Sequence, residues 1–396
     1  MIIGIDVGGT HTDAVLLSSS GIEKKIKVST DSTDLFHTIL SGFNYLLEDI
    51  DPKDVQRVVI STTLTTNAIV QQNLEPVGMI VSAGPGINPM AFETGDHYYC
   101  VSGSINHRGR EKSPVNTIEI KDIAKKLKDA GIEYVGVVSK FCVRNPSHEI
   151  LIKRLLNKYF KKIFLGHHVS GNLNFPRRIA TTYLNAAVFS LHKSFFEAVK
   201  QSLAEKGLTI PIQILKADGG TMSLESSMDF PGQTVLSGPA ASIMGAIPYA
   251  PKNQDAIVLD IGGTTTDIAF LVNKAPLLEP LGTQRGQHRS LIRSLRTESK
   301  GIGGDSFVRV ENGELLIGPE RKGPSMAFGG SVPTPTDAIV VLGLMDEGDR
   351  ENAQKGIRQI SEALGVSDID ASEMIFKKCC SIILKKTFEM IDKLNS

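Results

Sequence analysis

Apolar positions along this chain follow two periods, a short one typical of strands and a longer one typical of amphipathic helices. Apolar runs interrupted by paired glycines, at 2–17 and 257–270, predict β-hairpins with tight turns. Residues 177–203 have an unbroken helical pattern that predicts one long helix. Further strands are predicted near 22–28, 58–61, 77–81, 134–139, 163–166 and 212–215, and further helices near 34–47, 120–130, 146–160, 350–364 and 371–393.

The two predicted hairpins contain the same motif. The first includes IIGIDVGGTHTDAVL, which starts at residue 2, and the second is IVLDIGGTTTDIAF, which starts at residue 257. When Asp6 is aligned with Asp260, both copies fit the pattern D-[VI]-G-G-T-x-T-D. A single glycine hairpin is common in proteins of any function, but two copies far apart in the chain indicate an internal duplication.

The residues of this motif suit the binding of a metal-bound polyphosphate. Glycine allows a close approach of the backbone to a ligand. Backbone N–H groups and threonine hydroxyls suit phosphate oxygens, and an aspartate at a strand end suits hydrated Mg²⁺. Two such turns from two related lobes can hold one polyphosphate from both sides.

Composition narrows the class of protein. The 396 residues are enough for two domains, and 41% of them are hydrophobic. Basic and acidic residues number 43 each, so charge gives no support to a nucleic-acid surface. The sequence has no apolar run of membrane-spanning length and no signal peptide, so we expect a cytoplasmic protein without a membrane partner. The four cysteines fit neither a disulfide framework nor a C-x-x-C metal site.

Several stretches leave alternatives open. The hydroxyl-rich residues 62–67 either bind an anion at a helix start or simply cap that helix. Residues 84–116 are a flap or a long surface loop, and the basic residues 284–300 are a substrate clamp or a solvated face. His167 and His168 are predicted to end a strand, where adjacent side chains point to opposite faces, so a shared metal ion is not favoured.

Taken together, the motifs resemble those of the hydantoinase A/5-oxoprolinase family, within the actin, sugar-kinase and heat-shock-chaperone ATPase superfamily. The resemblance runs through nearly the whole chain. It rests on GIDVGGTHTDAVL at 4–16, STTLTTNAIV at 61–70, NPSHE at 145–149, DGG at 218–220, TVLSGPAAS at 234–242, DIGGTTTDIA at 260–269, GIGGDSF at 301–307 and PTPTDAIVVLG at 333–343.

The resemblance implies an α/β fold of the two-lobed actin-like ATPase type, with duplicated ribonuclease H-like domains and MgATP between the lobes. We expect a first lobe at 1–170 and a second at 171–396. The implied function is ATP-dependent opening of a cyclic amide such as a hydantoin or 5-oxoproline. By analogy, ATP phosphorylates the amide oxygen, and a hydantoinase B-type subunit takes part. A small-molecule kinase and a non-catalytic nucleotide-binding regulator remain alternatives, and a homo-oligomer remains open.

The resemblance also assigns residues. Asp6 and Asp260 become the catalytic residues and the Mg²⁺ ligands. Asp13 and Asp267 either contact the ligand or cap their hairpins, and the capping role is favoured for Asp13. The residues expected to contact the nucleotide are Gly8, Gly9, Thr10, Thr12, Gly262, Gly263, Thr264, Thr265, Thr266, Gly303, Gly304, Gly329 and Gly330.

Two departures from the family pattern bear on nucleotide binding. Asp305 stands where family members usually have a glycine. Family members also continue into a further glycine motif, F-G-G-A-G-P, so this sequence is interpreted as a short form without the usual C-terminal extension. In that case either the glycines near 303 or 329 take the place of that motif, or nucleotide binding is weak.

Overall fold

The computed structural model describes residues 1–8, 11–31, 33–70, 74–208, 210–285 and 288–395. The chain divides into two compact units. The first consists of Met1–Met244 with Leu278–Leu295, and the second of Gly245–Leu277 with Arg296–Ser396. The lobe boundary expected at residues 170 and 171 falls inside the first unit and stays a prediction.

The first unit contains a six-stranded mixed sheet built around the first predicted hairpin. In spatial order the strands are β12, β11, β4, β1, β2 and β3. β1 pairs antiparallel with β2 and parallel with β4, so the hairpin lies inside the sheet. The strand bounds are β1 Ile2–Val7, β2 His11–Ser18, β3 Gly21–Ser29, β4 Arg57–Thr62, β11 Ile212–Leu215 and β12 Thr221–Ser223.

A second sheet in the first unit is entirely parallel, with the strand order β10, β9, β5, β6. β5 and β9 are buried along their whole length, as expected for strands covered on both faces. The stretch 84–116 contributes three short strands instead of only a loop. The bounds are β5 Val77–Ser82, β6 Tyr98–Cys100, β7 Ser104–Ile105, β8 Glu111–Ser113, β9 Tyr134–Ser139 and β10 Lys162–Leu165.

Helices cover both sheets of the first unit. α1 begins after Asp34, whose carboxylate accepts a hydrogen bond from the His37 N–H. The helices are α1 Leu35–Leu46, α2 Leu64–Val70, α3 Thr117–Asp129, α4 Ser147–Leu156, α5 Gly166–Val169, α6 Phe175–Ala187, α7 Phe189–Glu205, α8 Leu224–Ser227 and α9 Ser237–Ala246, which continues into the second unit. Short 3₁₀ turns lie at Pro52–Asp54, Pro89–Phe92, Pro231–Thr234 and Ile247–Tyr249.

The prediction of one long helix over 177–203 is wrong. The helix is interrupted at Val188, which ends α6 and precedes α7. Val188 is buried, and its β-branched side chain has restricted rotamers in a helix. The predicted strand that was to end at His167 also stops earlier, since Gly166–Val169 form α5.

The second unit is built on the second predicted hairpin. β14 pairs antiparallel with β13, β15 and β18, and β19 pairs with β20. Three helices pack around a core that includes Val308, Ala338 and Ile357. The elements are β13 Ala256–Ile261, β14 Thr266–Val272, β15 Ala275–Pro276, β18 Thr297–Lys300, β19 Ser306–Glu311, β20 Glu314–Arg321, a 3₁₀ turn Met326–Phe328, α10 Pro335–Val341, α11 Arg350–Leu364 and α12 Asp368–Asn395.

Between the two parts of the second unit, the chain returns to the first unit. There it forms a two-stranded ribbon of β16 Gln284–Arg285 and β17 His288–Arg289. In the described ranges, no helix is both long and apolar enough to cross a bilayer.

Candidate functional site

The two hairpins share one pairing register. Asp6 lies opposite Asp13 in the first hairpin, and Asp260 lies opposite Asp267 in the second. The same turn bond closes both, since the Gly8 N–H donates to the His11 carbonyl at 3.0 Å and the Gly262 N–H donates to the Thr265 carbonyl at 2.9 Å. The duplication seen in the sequence is therefore a duplication of backbone geometry.

In the first turn, glycine is required at position 8 because an added Cβ would lie 2.6 Å from the His11 carbonyl oxygen. Asp6 ends β1 half-buried, and the Ser61 hydroxyl donates to its carboxylate at 2.6 Å. Gly9 and Thr10, both expected to contact phosphate, lie outside the described residues. The described part of the turn therefore places a carboxylate next to a close backbone approach.

The second turn is described in full. Gly262, Gly263 and Thr264 are exposed, and Thr265 is half-buried. Within the described part of the chain, the N–H groups of residues 263–265 have no acceptor. Exposed amides at a glycine turn form the kind of concave donor set that binds anions. Asp260 precedes them, half-buried at the end of β13.

The inner threonine of each motif faces the protein interior. Thr12 and Thr266 are fully buried. The Thr12 hydroxyl shares a hydrogen bond with the Thr30 hydroxyl at 2.8 Å, and the Thr266 hydroxyl donates to the Ile302 carbonyl at 2.8 Å. The two partners are equivalent: Thr30 lies two residues after Val28, which pairs with Thr12, and Ile302 lies two residues after Lys300, which pairs with Thr266. This geometry favours a supporting role for both threonines over direct phosphate contact.

The second aspartates of the two motifs have different surroundings. Asp13 forms an ion pair with Lys27 at 2.6 Å on an exposed face. Asp267 accepts a hydrogen bond from the Ser299 hydroxyl. Burial raises the pKa of Asp267 above its ordinary value, the Ser299 bond opposes this rise, and the nearby Asp260 adds to it. The second motif thus holds two carboxylates close together.

The glycine turn at 303–305 is hydrogen-bonded to the turn of the second hairpin. The N–H groups of Gly304 and Asp305 donate to the carbonyls of Gly262 and Gly263 at 2.9 and 2.7 Å. A Cβ on Gly303 would lie 2.4 Å from the Gly262 carbonyl oxygen. Because these N–H groups are occupied, the structure explains the glycines by packing. Their predicted contact with the nucleotide stays a prediction.

Asp305 and Arg321 add a charged pair that the sequence pattern does not reveal. Arg321 Nη2 lies 2.9 Å from the Asp305 carboxylate. A Cβ on Gly263 would lie only 2.6 Å from that carboxylate, so the charge lies against the turn of the second hairpin. Asp305 differs from the glycine expected there, but no local pattern could have linked it to Arg321.

Gly329 and Gly330 form a tight turn that Asp337 organises. Gly329 has a φ of +85°, and a Cβ on Gly330 would overlap the Pro324 carbonyl. The fully buried Asp337 carboxylate accepts from the Ala327 and Met326 N–H groups and forms a capping box with Thr334, which is the N-cap of α10. Burial raises the pKa of Asp337, and these hydrogen bonds oppose that rise. An adenosine contact of the two glycines stays a prediction.

In the first unit, two of the motifs contact each other. Thr66 Oγ1 accepts from the Leu236 N–H at 2.8 Å, and the Ser237 hydroxyl donates to the Thr62 carbonyl at 2.8 Å. Leu236 has a φ of +67°, a strained value for this residue type. A Cβ on Gly238 would lie 2.3 Å from Thr63 Cγ2. The hydroxyl-rich stretch therefore holds the 234–242 motif in place.

The segment 278–295 packs onto α6 and onto the turn that carries the DGG motif. Arg177 donates to the carbonyls of Leu281 and Ser290, and the Leu295 N–H donates to the Ala217 carbonyl at 2.8 Å. Together these elements enclose a cavity of about 280 Å³. It is lined by Val169, Ser170, Asn172, Thr181, Asn185, Lys216, Asp218, Phe230, Gln233, Leu291, Ile292 and Arg293.

The two adjacent histidines have separate partners. His167 Nδ1 lies 2.5 Å from the fully buried Glu149 carboxylate, which also accepts the Ser139 N–H. The His168 ring stacks on Phe230, with ring centroids 5.1 Å apart. Glu149 of the NPSHE motif thus ties α4 to the ends of β9 and β10.

The described residues include two kinds of group that suit MgATP, namely backbone amides for its phosphates and carboxylates for Mg²⁺. The N–H groups of residues 263–265 have no acceptor among the described residues, so they are available to phosphate oxygens. Among the described residues, no group of three or more His, Cys, Asp or Glu could hold a metal ion by itself. Mg²⁺ commonly takes one or two carboxylates, with water and phosphate as its other ligands, so Asp6 or Asp260 would suffice.

The fold identifies the class of protein first. A solved structure of nucleotide-free acetone carboxylase matches 99% of this chain with a TM-score of 0.83 at 19% identity, and the match covers 63% of that protein. The structure of an ATP-dependent caprolactamase from Pseudomonas jessenii matches 95% of this chain, and 61% of its own, with a TM-score of 0.69 at 24% identity. The predicted α/β fold of the actin-like type is thereby confirmed.

The sequence comparison then gives the family. The family described as hydantoinase/oxoprolinase matches residues 178–394, and its N-terminal region matches residues 2–160. The chain belongs to the hydantoinase/oxoprolinase family.

Individual relatives are distant and longer. Caprolactamase subunit alpha of Pseudomonas jessenii is 24% identical over 92% of this chain and 59% of its own length. The acetophenone carboxylase gamma subunit of Aromatoleum aromaticum is 23% identical over 94% of this chain and 58% of its own length. The chain spans about three fifths of the length of these relatives.

Proposed function

We propose that this chain is the nucleotide-binding part of an ATP-dependent hydrolase that opens a cyclic amide. The observation that carries the proposal is the second turn, where N–H groups at residues 263–265, without an acceptor among the described residues, follow Asp260. The family and the ATP-dependent caprolactamase from Pseudomonas jessenii support the choice of reaction. In the proposed reaction one water adds across the amide C–N bond and a second water is consumed in cleaving ATP to ADP and phosphate.

Each residue has a defined part in this proposal. The amides of Gly263, Thr264 and Thr265 donate to phosphate oxygens, and Thr266 keeps the turn in shape from inside. Asp260, and Asp6 in the first copy, carry the carboxylates for Mg²⁺. The ion supplies neutralisation of phosphate charge when it is bound. Binding by preformed amides leaves little conformational entropy to lose.

The test is a calorimetric titration of the purified chain with MgADP and with a non-hydrolysable MgATP analogue. We expect Asp260→Ala and Asp6→Ala to weaken binding at least tenfold, because each removes a carboxylate assigned to the metal. Asp122→Ala, an exposed carboxylate on α3, is the matched control and should bind like the unaltered chain. Equal binding by all four proteins would contradict the proposal.

Substrate class is tested by nucleotide turnover. Hydantoin, 5-oxoproline and caprolactam are supplied with ATP, with and without a hydantoinase B-type subunit, and released phosphate is measured. Turnover that requires a cyclic amide supports the hydrolase. A phosphorylated product would indicate a kinase, and binding without turnover would indicate a regulatory role.

A carboxylase-type role is the second candidate. The acetone carboxylase structure and the acetophenone carboxylase subunit are the observations that favour it. Phosphate release that depends on a ketone and bicarbonate, and not on any cyclic amide, would decide for this alternative. Either proposal includes a B-type partner subunit, and the names of two relatives as subunits support an assembly of more than one subunit.

A further inference from the structure

The cavity of the first unit has the size and lining of a site for a small organic molecule. Its volume of about 280 Å³ is near the lower end of the roughly 300–1,000 Å³ typical of ligand pockets. Phe230 and the buried Ile292 provide apolar surface, and His168 holds the Phe230 ring by stacking. Polar groups come from the turn before the DGG glycines and from the segment 291–293.

Gln233 is a half-buried polar residue of this cavity whose main chain is held in place by hydrogen bonds. The backbone N–H of Gln233 donates to the Phe230 carbonyl at 3.0 Å, and the backbone carbonyl of Gln233 accepts from the Ala217 N–H at 2.9 Å. The preceding residue, Gly232, donates to the Asn185 side chain at 3.0 Å. The backbone is therefore fixed at these points. The half-buried side-chain carboxamide of Gln233, in contrast, makes no hydrogen bond to any described residue.

The charges at the cavity are unequal. Lys216 lies 3.3 Å from Asp218, so these two groups largely offset each other. Arg293 also lines the cavity and is exposed. The lining therefore carries one net positive charge, which favours a ligand with one negative charge.

A primary carboxamide offers a donor and an acceptor side by side. The amide of a small ring is held in the cis form, which presents its N–H and C=O on one edge. An open-chain secondary amide is trans, so its N–H and C=O point in opposite directions. Gln233 therefore matches the edge of a cyclic amide at two points and matches an open-chain amide at only one.

We propose that this cavity binds the cyclic amide substrate, with Gln233 paired to the amide edge and Arg293 selecting ring substituents that carry a carboxylate. The inference rests on the proposed function and names its substrate site. A paired carboxamide in a partly buried site gives strong discrimination, because a ligand that lacks the match leaves a polar group without a partner.

The experiment is ligand-observed NMR titration of the full chain, without nucleotide, against 2-pyrrolidone, 5-oxoproline and the open-chain N-methylacetamide. We expect both cyclic amides to bind and N-methylacetamide to bind at least fivefold more weakly. Gln233→Leu should weaken both cyclic amides about 5- to 30-fold, the range for losing hydrogen bonds of this kind. Arg293→Ala should weaken 5-oxoproline about 3- to 10-fold and leave 2-pyrrolidone unchanged.

Gln201→Leu, on an exposed position of α7, is the matched control and should bind all ligands normally. No binding of either cyclic amide, equal binding of N-methylacetamide, or unchanged affinity in Gln233→Leu would overturn the site.

The outcome can be separated from that of the proposed function. Amide-dependent ATP turnover that survives Gln233→Leu would keep the function and overturn the site. Binding that depends on Gln233, in a protein with no amide-dependent turnover in any assembly, would keep the site and overturn the function.

Discussion

The two copies of the repeated hairpin share one pairing register and one turn bond, but their first strands differ in exposure. Ile3, Ile5 and Val7 on β1 are 0%, 3% and 0% exposed, in a core shared with α1 and α7. Their equivalents Ile257, Leu259 and Ile261 on β13 are 46%, 43% and 59% exposed. β1 lies between two strands, whereas β13 pairs only with β14 among the described strands.

This difference shows that the motif residues determine the geometry of the turn, whereas elements elsewhere in the chain determine whether the strand is buried. The turn geometry needs the glycines, the inner threonine and the local strand pairing, and both copies have these. Cover for the apolar face comes from β4, α1 and α7, which lie elsewhere in the sequence. The same pattern of residues can therefore make a core strand in one copy and an exposed edge strand in the other.

The largest expected effect is on stability, and it contrasts the two strands directly. Ile5→Ser should lower the free energy of unfolding by about 3–5 kcal/mol, because it leaves a cavity and buries a hydroxyl. Leu259→Ser should change it by less than about 0.5 kcal/mol, as for other exposed positions. Urea unfolding followed by circular dichroism measures both. Similar losses in the two variants would show that β13 is covered as β1 is.

A second contrast concerns the inner threonines. Thr266→Val leaves the Ile302 carbonyl without its partner in a buried place, at an expected loss of about 1–3 kcal/mol. Thr12→Val should cost less, about 0.5–1 kcal/mol, because the half-buried Thr30 hydroxyl can turn to water. Unfolding midpoints of the two variants give the comparison. A larger loss of stability from Thr12→Val than from Thr266→Val would show that the Thr12 hydrogen bond contributes more than the Thr266 bond.

Asp305 offers a contrast in nucleotide affinity. Its carboxylate lies against Gly263, so Asp305→Asn removes a negative charge from the phosphate turn and should raise MgADP affinity about 2- to 5-fold at low salt. Glu311→Gln, which removes a similar ion pair with Arg309 on an exposed strand, should leave affinity unchanged. Calorimetry at two salt concentrations is the measurement. Weaker binding by Asp305→Asn would indicate that the carboxylate serves the ligand.

The smallest expected effect is the pH dependence of Asp267. Its raised pKa means that the folded state holds the proton more tightly than the unfolded state. The stabilising contribution is full below about pH 3.8, the unfolded value, and is lost as pH rises through the folded pKa. Asp267→Asn should therefore be at least as stable as the unaltered chain at pH 7, with the advantage shrinking toward pH 4. Asp13→Asn, which loses the Lys27 ion pair, should show no such gain.

Local patterns predicted the repeat, the family and most elements of this fold. Alternating apolar residues marked the hairpins, and capping side chains marked helices such as α1. The break at Val188 escaped prediction because no proline or glycine marks it. The short strands in 84–116 are too brief to show a period, and their pairing depends on β5 and on each other.

The sequence shows which residue types the candidate site contains, but it does not show the direction in which each side chain faces. Thr12 and Thr266 have hydroxyls suited to phosphate, and only burial shows that these hydroxyls face inward. The Asp305–Arg321 pair and the cavity at Gln233 arise from contacts between distant segments. Spacing along the chain carries no information about such contacts.

The chain path has a consequence for protein synthesis. Residues 291–293 line the cavity of the first unit, yet the chain reaches them only after β13, β14 and β15 of the second unit. A ribosome therefore releases the turn of the second hairpin before it releases the last wall of the proposed substrate site. During synthesis, the cavity of the first unit therefore lacks the wall formed by residues 291–293 until β13, β14 and β15 of the second unit have emerged.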